Sequence, residues 1–217
     1  MLLTTQRLAL REWEPAMAAD LCALSQDPEN RRFLPDEVFE TSAEAEETIA
    51  SLLQNRKTGE GPQVLALLQK DGPLVGHVEL CPLEGTADWE VGYHIGAPWR
   101  GRGYAAEALG AFLPAMLPEM GLRAVYGICA EENEASRRVL ERCGFSLWER
   151  RTAVLYGRPA VLWKYRYLLP ESPIFDEKNA PVPGACMAEK RHRRNHSCDT
   201  KEAFTVPPPR PGASSSR

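Results

Sequence analysis

Pro98-Trp99-Arg100-Gly101-Arg102-Gly103-Tyr104-Ala105 stands between a strand pattern and a helix pattern, and its reading decides the fold. Gly101 and Gly103 let the backbone approach a ligand closely and adopt dihedrals that other residues resist. The unpaired N–H groups of a helix's first turn, added to the helix dipole, make the junction an anion site. Spacing removes two kinds of phosphate loop. A Walker loop ends in Gly-Lys-Ser/Thr, whereas Gly103 is followed by Tyr104 and Ala105, so nothing binds magnesium in the expected way. A dinucleotide fingerprint needs glycine at position 106, which is Ala106. Arg/Gln-x-x-Gly-x-Gly/Ala remains, with Arg100, Gly103 and Ala105 at its marked positions.

Upstream, Trp89, Val91, Tyr93 and Ile95 alternate with Glu90, Gly92 and His94, the period-two pattern of a strand with one core face and one polar face. Downstream, Ala124 to Cys129 reads as a further strand. Asn133 to Phe145 then reads as a helix capped by Asn133 and stopped by Gly144. Further out, Arg7 to Glu12 is expected as a first strand and Glu14 to Ser25 as a helix started by Pro15. Thr41 to Lys57 is a second helix with Thr41 and Ser42 as cap candidates. Gln63 to Leu68 and Leu74 to Leu80 form a hairpin across Lys70-Asp71-Gly72-Pro73. Leu147 to Val154 and Ala160 to Leu168 close the sheet across Gly157-Arg158-Pro159. Pro114 and Pro118 predict a kink or break near Leu113 in the helix that starts at Gly103, because an interior proline costs about 3 kcal/mol.

The loop resembles the phosphate loop of the GNAT superfamily of acetyl-coenzyme A-dependent N-acetyltransferases. Asn133-x-x-Ser136, the pair Arg137-Arg138 and the closing Gly144-Phe145 are similar to the branch that acetylates ribosomal-protein N-termini, as is the opening Thr5-x-Arg7-Leu8-x-Leu10-Arg11. The resemblance is strongest from Trp89 to Phe145 and weak before Thr41. It implies a mixed α/β fold, with a mostly antiparallel central sheet that splays two parallel strands at the cofactor site. It also implies acetyl-CoA as co-substrate, no metal, a primary amine as acceptor, and a monomer or homodimer. The acceptor stays open between a protein N-terminus, an aminoglycoside, a polyamine and an amino acid, because its pocket comes from the variable segment around Arg31 to Glu47 and from the closing hairpin. A non-catalytic acyl-CoA-binding module is the alternative.

By the same resemblance, the amides of Gly101, Arg102, Gly103, Tyr104 and Ala105 bind the pyrophosphate, and Arg100 and Arg102 add charge-assisted contacts. The backbone of His94 and Ile95 pairs the pantetheine arm as an extra strand would. Asn133 bonds the pantetheine amides while capping its helix. Glu90, on the strand's polar face within Glu-x-Gly-Tyr, is the expected base, with His94 and Glu79 as alternatives. Many family members place a tyrosine acid four residues before the Gly-Phe; that position is Leu140 here, and the resemblance to the branch with Asn-x-x-Ser implies that Ser136 takes the role, its hydroxyl stabilising a departing thiolate. Cys143 reads as buried rather than nucleophilic. Trp13, Trp89 and Tyr93 read as core aromatics, and Trp99 as a candidate for the cofactor entrance.

Composition sets outer bounds. A chain of 217 residues fits one domain with some excess length. A formal charge of −4 gives no general field for polyanions, so nucleic acid is not an expected partner. No apolar run approaches the roughly 20 residues of a membrane span, and Met1-Leu2-Leu3-Thr4-Thr5 lacks a signal-peptide core, so a cytoplasmic protein is expected. Six cysteines without paired spacing read as small hydrophobes in a reducing compartment. Residues 1–169 are expected as the acetyltransferase domain. Residues 170–217 are expected as a disordered Pro/Ser/basic tail, in which Cys186, His192, His196 and Cys198 lack zinc-site spacing.

Overall fold

The computed structural model describes residues 2–170; the expected tail and its Cys186, His192, His196 and Cys198 lie outside the described residues. One mixed sheet holds β1 (Leu2–Thr4), β2 (Leu8–Arg11), β3 (Gln63–Gln69), β4 (Leu74–Pro82), β5 (Trp89–Ile95), β6 (Ala124–Ala130), β7 (Ser146–Leu155) and β8 (Arg158–Leu168). Their order across the sheet is β1-β2-β3-β4-β5-β6-β8-β7. Among the described residues, only β5 and β6 run parallel. The helices are α1 (Ala18–Ser25), α2 (Pro28–Phe33), α3 (Ser42–Thr58), α4 (Tyr104–Glu119) and α5 (Glu134–Arg142).

Each face of the sheet carries its own core. Leu65 and Leu67 of β3 join Val91, Ile95, Leu109, Phe112 and Met116 on the α4 face, while Val64 and Ala66 join Trp13, Leu21 and Ile49 under α1 and α3. β3 is therefore buried on both sides, and its sequence is a continuous apolar run rather than an alternating one. Thr41 caps α3 by accepting from the Glu44 N–H at 3.2 Å, and Gly59, at φ 72°, ends it. Glu107 near the start of α4 accepts from Arg7 Nε at 2.6 Å, the Arg7 N–H at 2.9 Å and the Thr5 hydroxyl at 2.5 Å. This cluster pins the β1–β2 turn to the helix that follows the glycine loop.

Three expectations need correction. First, α4 is not broken: it runs from Tyr104 through Pro114 and Pro118 to Glu119. Gly110, Pro114 and Pro118 share one exposed stripe, so the carbonyls that lose their helical donors face water. Leu109, Phe112, Leu113, Met116 and Leu117 are buried opposite and hold the helix in place. Second, the closing hairpin turns at Tyr156 and Gly157, both at positive φ (48° and 73°), and Pro159 lies within β8 opposite Val154. A two-residue turn of this sense matches strand twist. Third, β1, α2 and the 3-10 turn Pro35–Glu37 are elements that the alternation and cap signals did not predict.

Gly127 of β6 leaves room for Leu140 of α5, since a Cβ there would meet Leu140 Cδ2 at 2.5 Å. Leu140 is 1% exposed and belongs to the α4-side core. G127A is expected to destabilise the protein by about 1–3 kcal/mol through overpacking, read as a lowered denaturation midpoint; an unchanged midpoint would contradict this packing.

Candidate active site

The glycine loop has the geometry that an anion needs. Gly101 and Gly103 sit at φ 72° and 79°, and an added Cβ on Gly101 would meet nothing within 4 Å. Gly103 is the N-cap of α4 and has no side chain to satisfy the helix's first donors, so the first-turn N–H groups are left for a ligand. Two guanidinium groups that the motif did not indicate flank the loop. Arg7 Nη2 and Arg142 Nη1 lie 3.7 and 3.8 Å from the Cβ position of Gly103, and Arg7 Nη1 also donates to the Arg102 carbonyl at 2.9 Å. The Arg102 side chain itself is exposed.

Arg100 lines the same cavity as the glycine loop, and its guanidinium is engaged within the protein. Its Nη1 and Nη2 form a bidentate pair with Asp27 at 2.9 and 2.8 Å, and its Nε donates to the Ile95 carbonyl at 2.8 Å. Burial works against the Asp27 charge, but hydrogen bonds from Arg100 and the Asn30 amide outweigh it and hold the carboxyl below its ordinary range. Asp27 is also the cap of α2, accepting from Glu29 and Asn30 N–H. One ion pair thus ties the first turn of α2 to the residue that opens the glycine loop. A motif read along the chain could not find Asp27, which is distant in sequence.

Next to the loop the sheet forks. β5 and β6 share a single bridged pair, Glu90 with Tyr126. The Gly96 N–H donates to Val75 of β4, and His94 pairs with His77 in the same ladder, so the even-numbered residues of β5 direct their peptide groups toward β4. Val91, Tyr93 and Ile95 direct theirs toward the fork. The expected backbone pair of His94 and Ile95 is therefore shifted: the His94 peptide serves the β4 ladder, the Ile95 carbonyl is taken by Arg100, and the Tyr93 peptide and the Ile95 N–H face the opening. Asn133 caps α5 across the fork, its Oδ1 accepting from the Ser136 N–H at 3.1 Å.

A hydroxyl pair sits at the fork. The Tyr93 hydroxyl donates to the Ser136 carbonyl at 3.0 Å and lies 2.9 Å from Ser136 Oγ. Tyr93 packs against the α4-side core, as its strand position suggested, but its polar end reaches Ser136. Burial pushes its phenol well above the ordinary tyrosine range, so it keeps its proton. Cys129 is close by, its thiol pushed up to about 11 by burial. Cys143 also has a raised thiol and contacts the Ala106 carbonyl at 3.7 Å.

On the opposite face of β5 the fork opens onto carboxyl groups. Glu90 is 7% exposed, and Glu79 from β4 lies across Gly92, where a Cβ would come within 2.3 Å of its Oε1. Gly92 is thus the residue that lets Glu79 cross β5. Burial and the neighbouring Glu37 push the Glu79 carboxyl up to about 8. Glu37 and His77 form a buried ion pair at 3.0 Å. Glu37, His77 and Glu79 bring potential ligand atoms within 4.8 Å of one another. His94 is pushed down to about 4 by burial and by His77, so it is neutral near pH 7, with Nε2 3.7 Å from Asp27 Oδ2. One cavity of about 480 Å³ connects Gly101, Gly103 and Ala105 through Tyr93 and Ser136 to Glu79 and Glu90.

The Acetyltransferase (GNAT) domain family matches this chain over residues 7–146. The Uncharacterized N-acetyltransferase YnaD of Bacillus subtilis (strain 168) is 27% identical over 144 residues, which make up 66% of this chain and 82% of that protein. An acetyltransferase (GNAT family) structure from Bacillus anthracis has a TM-score of 0.65 at 23% identity, over 77% of this chain and 98% of that one. RimL, a ribosomal L7/L12 alpha-N-protein acetyltransferase solved in complex with coenzyme A, has a TM-score of 0.68 at 17% identity, over 78% and 98%. At these identities the two structures speak for a shared fold.

G103V adds a side chain at a positive-φ position with only the Arg7 and Arg142 tips nearby. It is expected to cost about 1–2 kcal/mol of stability and to abolish coenzyme A binding by calorimetry. Unchanged affinity in the folded variant would remove the loop from the binding site.

Proposed function

This chain belongs to the GNAT acetyltransferases, and from that premise we propose that it moves the acetyl group of acetyl-CoA onto a primary amine by direct attack within a ternary complex. The observation that carries this reading is the single cavity joining the glycine loop, the fork and the buried carboxyls. The residues fit the co-substrate: the Gly101–Gly103 cradle leaves room and donors for a diphosphate, and the open edge of β5 offers peptide groups to an amide-bearing arm. RimL, of the same fold, holds coenzyme A.

Acetyl-CoA supplies the thioester carbonyl that the amine attacks and the thiolate that leaves. The chain's own groups manage the protons. Glu90 and Glu79 face the incoming ammonium and take the proton it must lose before its lone pair can form the N–C bond. Of the two, Glu79 has the stronger claim as base, because a carboxyl pushed up to about 8 is matched to an amine far better than an ordinary glutamate. His94, neutral and with a weakened basicity, is a poor competitor. As the C–S bond breaks, the sulfur leaves as a thiolate, to which the Ser136 hydroxyl, placed beside Tyr93, can donate a hydrogen bond, and its proton comes from solvent. The loop amides and the Asn133 turn hold the arm still during transfer.

A base that must be deprotonated makes the rate rise as pH increases through its pKa and level off above it. The wild-type kcat/KM is expected to rise through pH about 8, and E79Q to lose that limb and about 100-fold or more in kcat. If E79Q keeps the limb and E90Q loses it, the base is Glu90. Y93F and S136A are each expected to lower kcat about tenfold with little change in the acetyl-CoA KM; full kcat in both would take the hydroxyl pair out of the reaction.

A further inference from the structure

Beyond the fork the cavity has an apolar lining that the reaction itself does not require. Ile128 and Ala130 of β6 alternate with Val125 and Cys129 of the α4-side core, so they lie on the same sheet face as Glu90. Ala130 and Leu162 are buried against Ile128 and Leu155 in a small cluster separate from both main cores. Ile128, Leu155 and Leu162 line the cavity. Phe33, the last residue of α2, and Leu34 line it too; both are partly exposed and belong to none of the three apolar clusters. Apolar side chains that face a cavity without entering a core leave reachable surface, and a ligand of the same character covers it favourably.

The charges on this side suit one ammonium and no more. Glu37 is matched by His77, Glu79 keeps its proton to about pH 8, and Glu29 is exposed to solvent. Glu90 stands near Glu79 beside the fork, where the reacting nitrogen arrives. A second cation placed among Phe33, Leu34 and Leu155 would lose its hydration without gaining a counter-charge.

An independent feature marks the same pocket. The β7–β8 turn that follows Leu155 has Tyr156 at φ 48° and Gly157 at φ 73°. Such a turn asks for positive φ at both central residues, which is why Asn-Gly is its usual pair. Tyrosine is strained there, and strained residues gather at ligand sites. Tyr156 lines the cavity next to Leu155.

We propose that the acceptor is a hydrophobic monoamine: a single primary amine presented to the fork, carried on an apolar body that lies against Phe33, Leu34, Ile128 and Leu155, with Tyr156 as the residue that bounds this pocket and sets its selectivity. This names the acceptor of the reaction proposed above and rests on that reading. The strain at Tyr156 is then the cost of placing an aromatic side chain where the turn alone would favour asparagine.

The test is a thiol-release assay on the full chain with acetyl-CoA, comparing ethylamine, butylamine, 1,4-diaminobutane and a short glycine-led peptide with a free N-terminus. Ethylamine and butylamine share one charge and similar basicity, so their ratio reads the apolar body. Butylamine is expected to exceed ethylamine about tenfold in kcat/KM, as two buried methylene groups would give, and to exceed the diamine by about tenfold or more. Y156N and F33S are each expected to lower the butylamine-to-ethylamine ratio about threefold. Asparagine adopts positive φ readily, so Y156N is also expected to hold or raise the denaturation midpoint, which separates lost recognition from lost folding. Equal rates for ethylamine and butylamine, acceleration by the diamine or the peptide alone, or a full ratio in both variants would overturn the apolar acceptor while leaving the acetyltransferase reading intact. Coenzyme A release that none of these compounds accelerates would overturn both.

Discussion

The separation of β5 from β6 after one bridged pair is the constraint on which the rest of the site depends. Parallel strands ordinarily continue their evenly spaced hydrogen bonds along their shared length. Here pairing stops at Glu90 and Tyr126, although both strands go on for several residues. Each strand is secured from its outer side: β5 by an unbroken antiparallel ladder to β4, and β6 by one to β8. Between them Tyr93 reaches Ser136 on α5, and Gly127 lets Leu140 settle against β6. The gap is therefore held open by packing on both sides and is not a local failure of pairing. Peptide groups facing such a gap lack a protein partner and favour a ligand that completes the ladder.

The fork also divides the electrostatics of the molecule. On the loop side, Arg142 and the first-turn N–H groups of α4 supply positive potential beside the Arg7–Glu107 pair, against a chain whose formal charge is −4. On the other side, carboxyl groups of Glu29, Glu37, Glu79 and Glu90 line the cavity, with Glu37 matched by His77 and Glu79 held protonated to about pH 8. An anionic carrier and a cationic acceptor are each drawn to their own end, and meet only through the gap. The Asp27–Arg100 pair links the two halves mechanically. Because Arg100 also holds the Ile95 carbonyl, any shift of α2 is felt at the end of β5 and at the start of the glycine loop. Arg100 lines the cavity as well, with its guanidinium committed to Asp27 and to the Ile95 carbonyl.

Much of this was legible in the sequence, for definite reasons. Trp89 to Ile95, Ala124 onward and the Asn133 helix carry strong alternation or a cap and a stop, and the elements formed there with nearly the expected bounds. The glycine pair marked the loop because positive φ is a local demand. What escaped depends on contacts far apart in the chain. Alternation places Tyr93 with Val91 and Ile95, which describes its ring correctly and says nothing of a hydroxyl that meets Ser136 on another element. Glu79 sits in a strand buried on both faces, and its meaning came from Gly92 across the ladder. α2 is short, starts at Pro28 and ends at Phe33, and is tied to the glycine loop through Asp27 and Arg100. The prolines of α4 misled because a break was inferred from chain chemistry alone; their common exposed stripe, four residues apart, is what spares the helix.

If the open edge of β5 receives the arm of the co-substrate as an added strand, amide hydrogen exchange at Tyr93 with and without coenzyme A reports it. This amide is expected to exchange readily in the free protein and to slow at least about tenfold on binding, together with the amides of the glycine loop. Slowing at the loop with no change at Tyr93 would show that the diphosphate is held while the fork stays unpaired, and that the arm does not add a strand to β5.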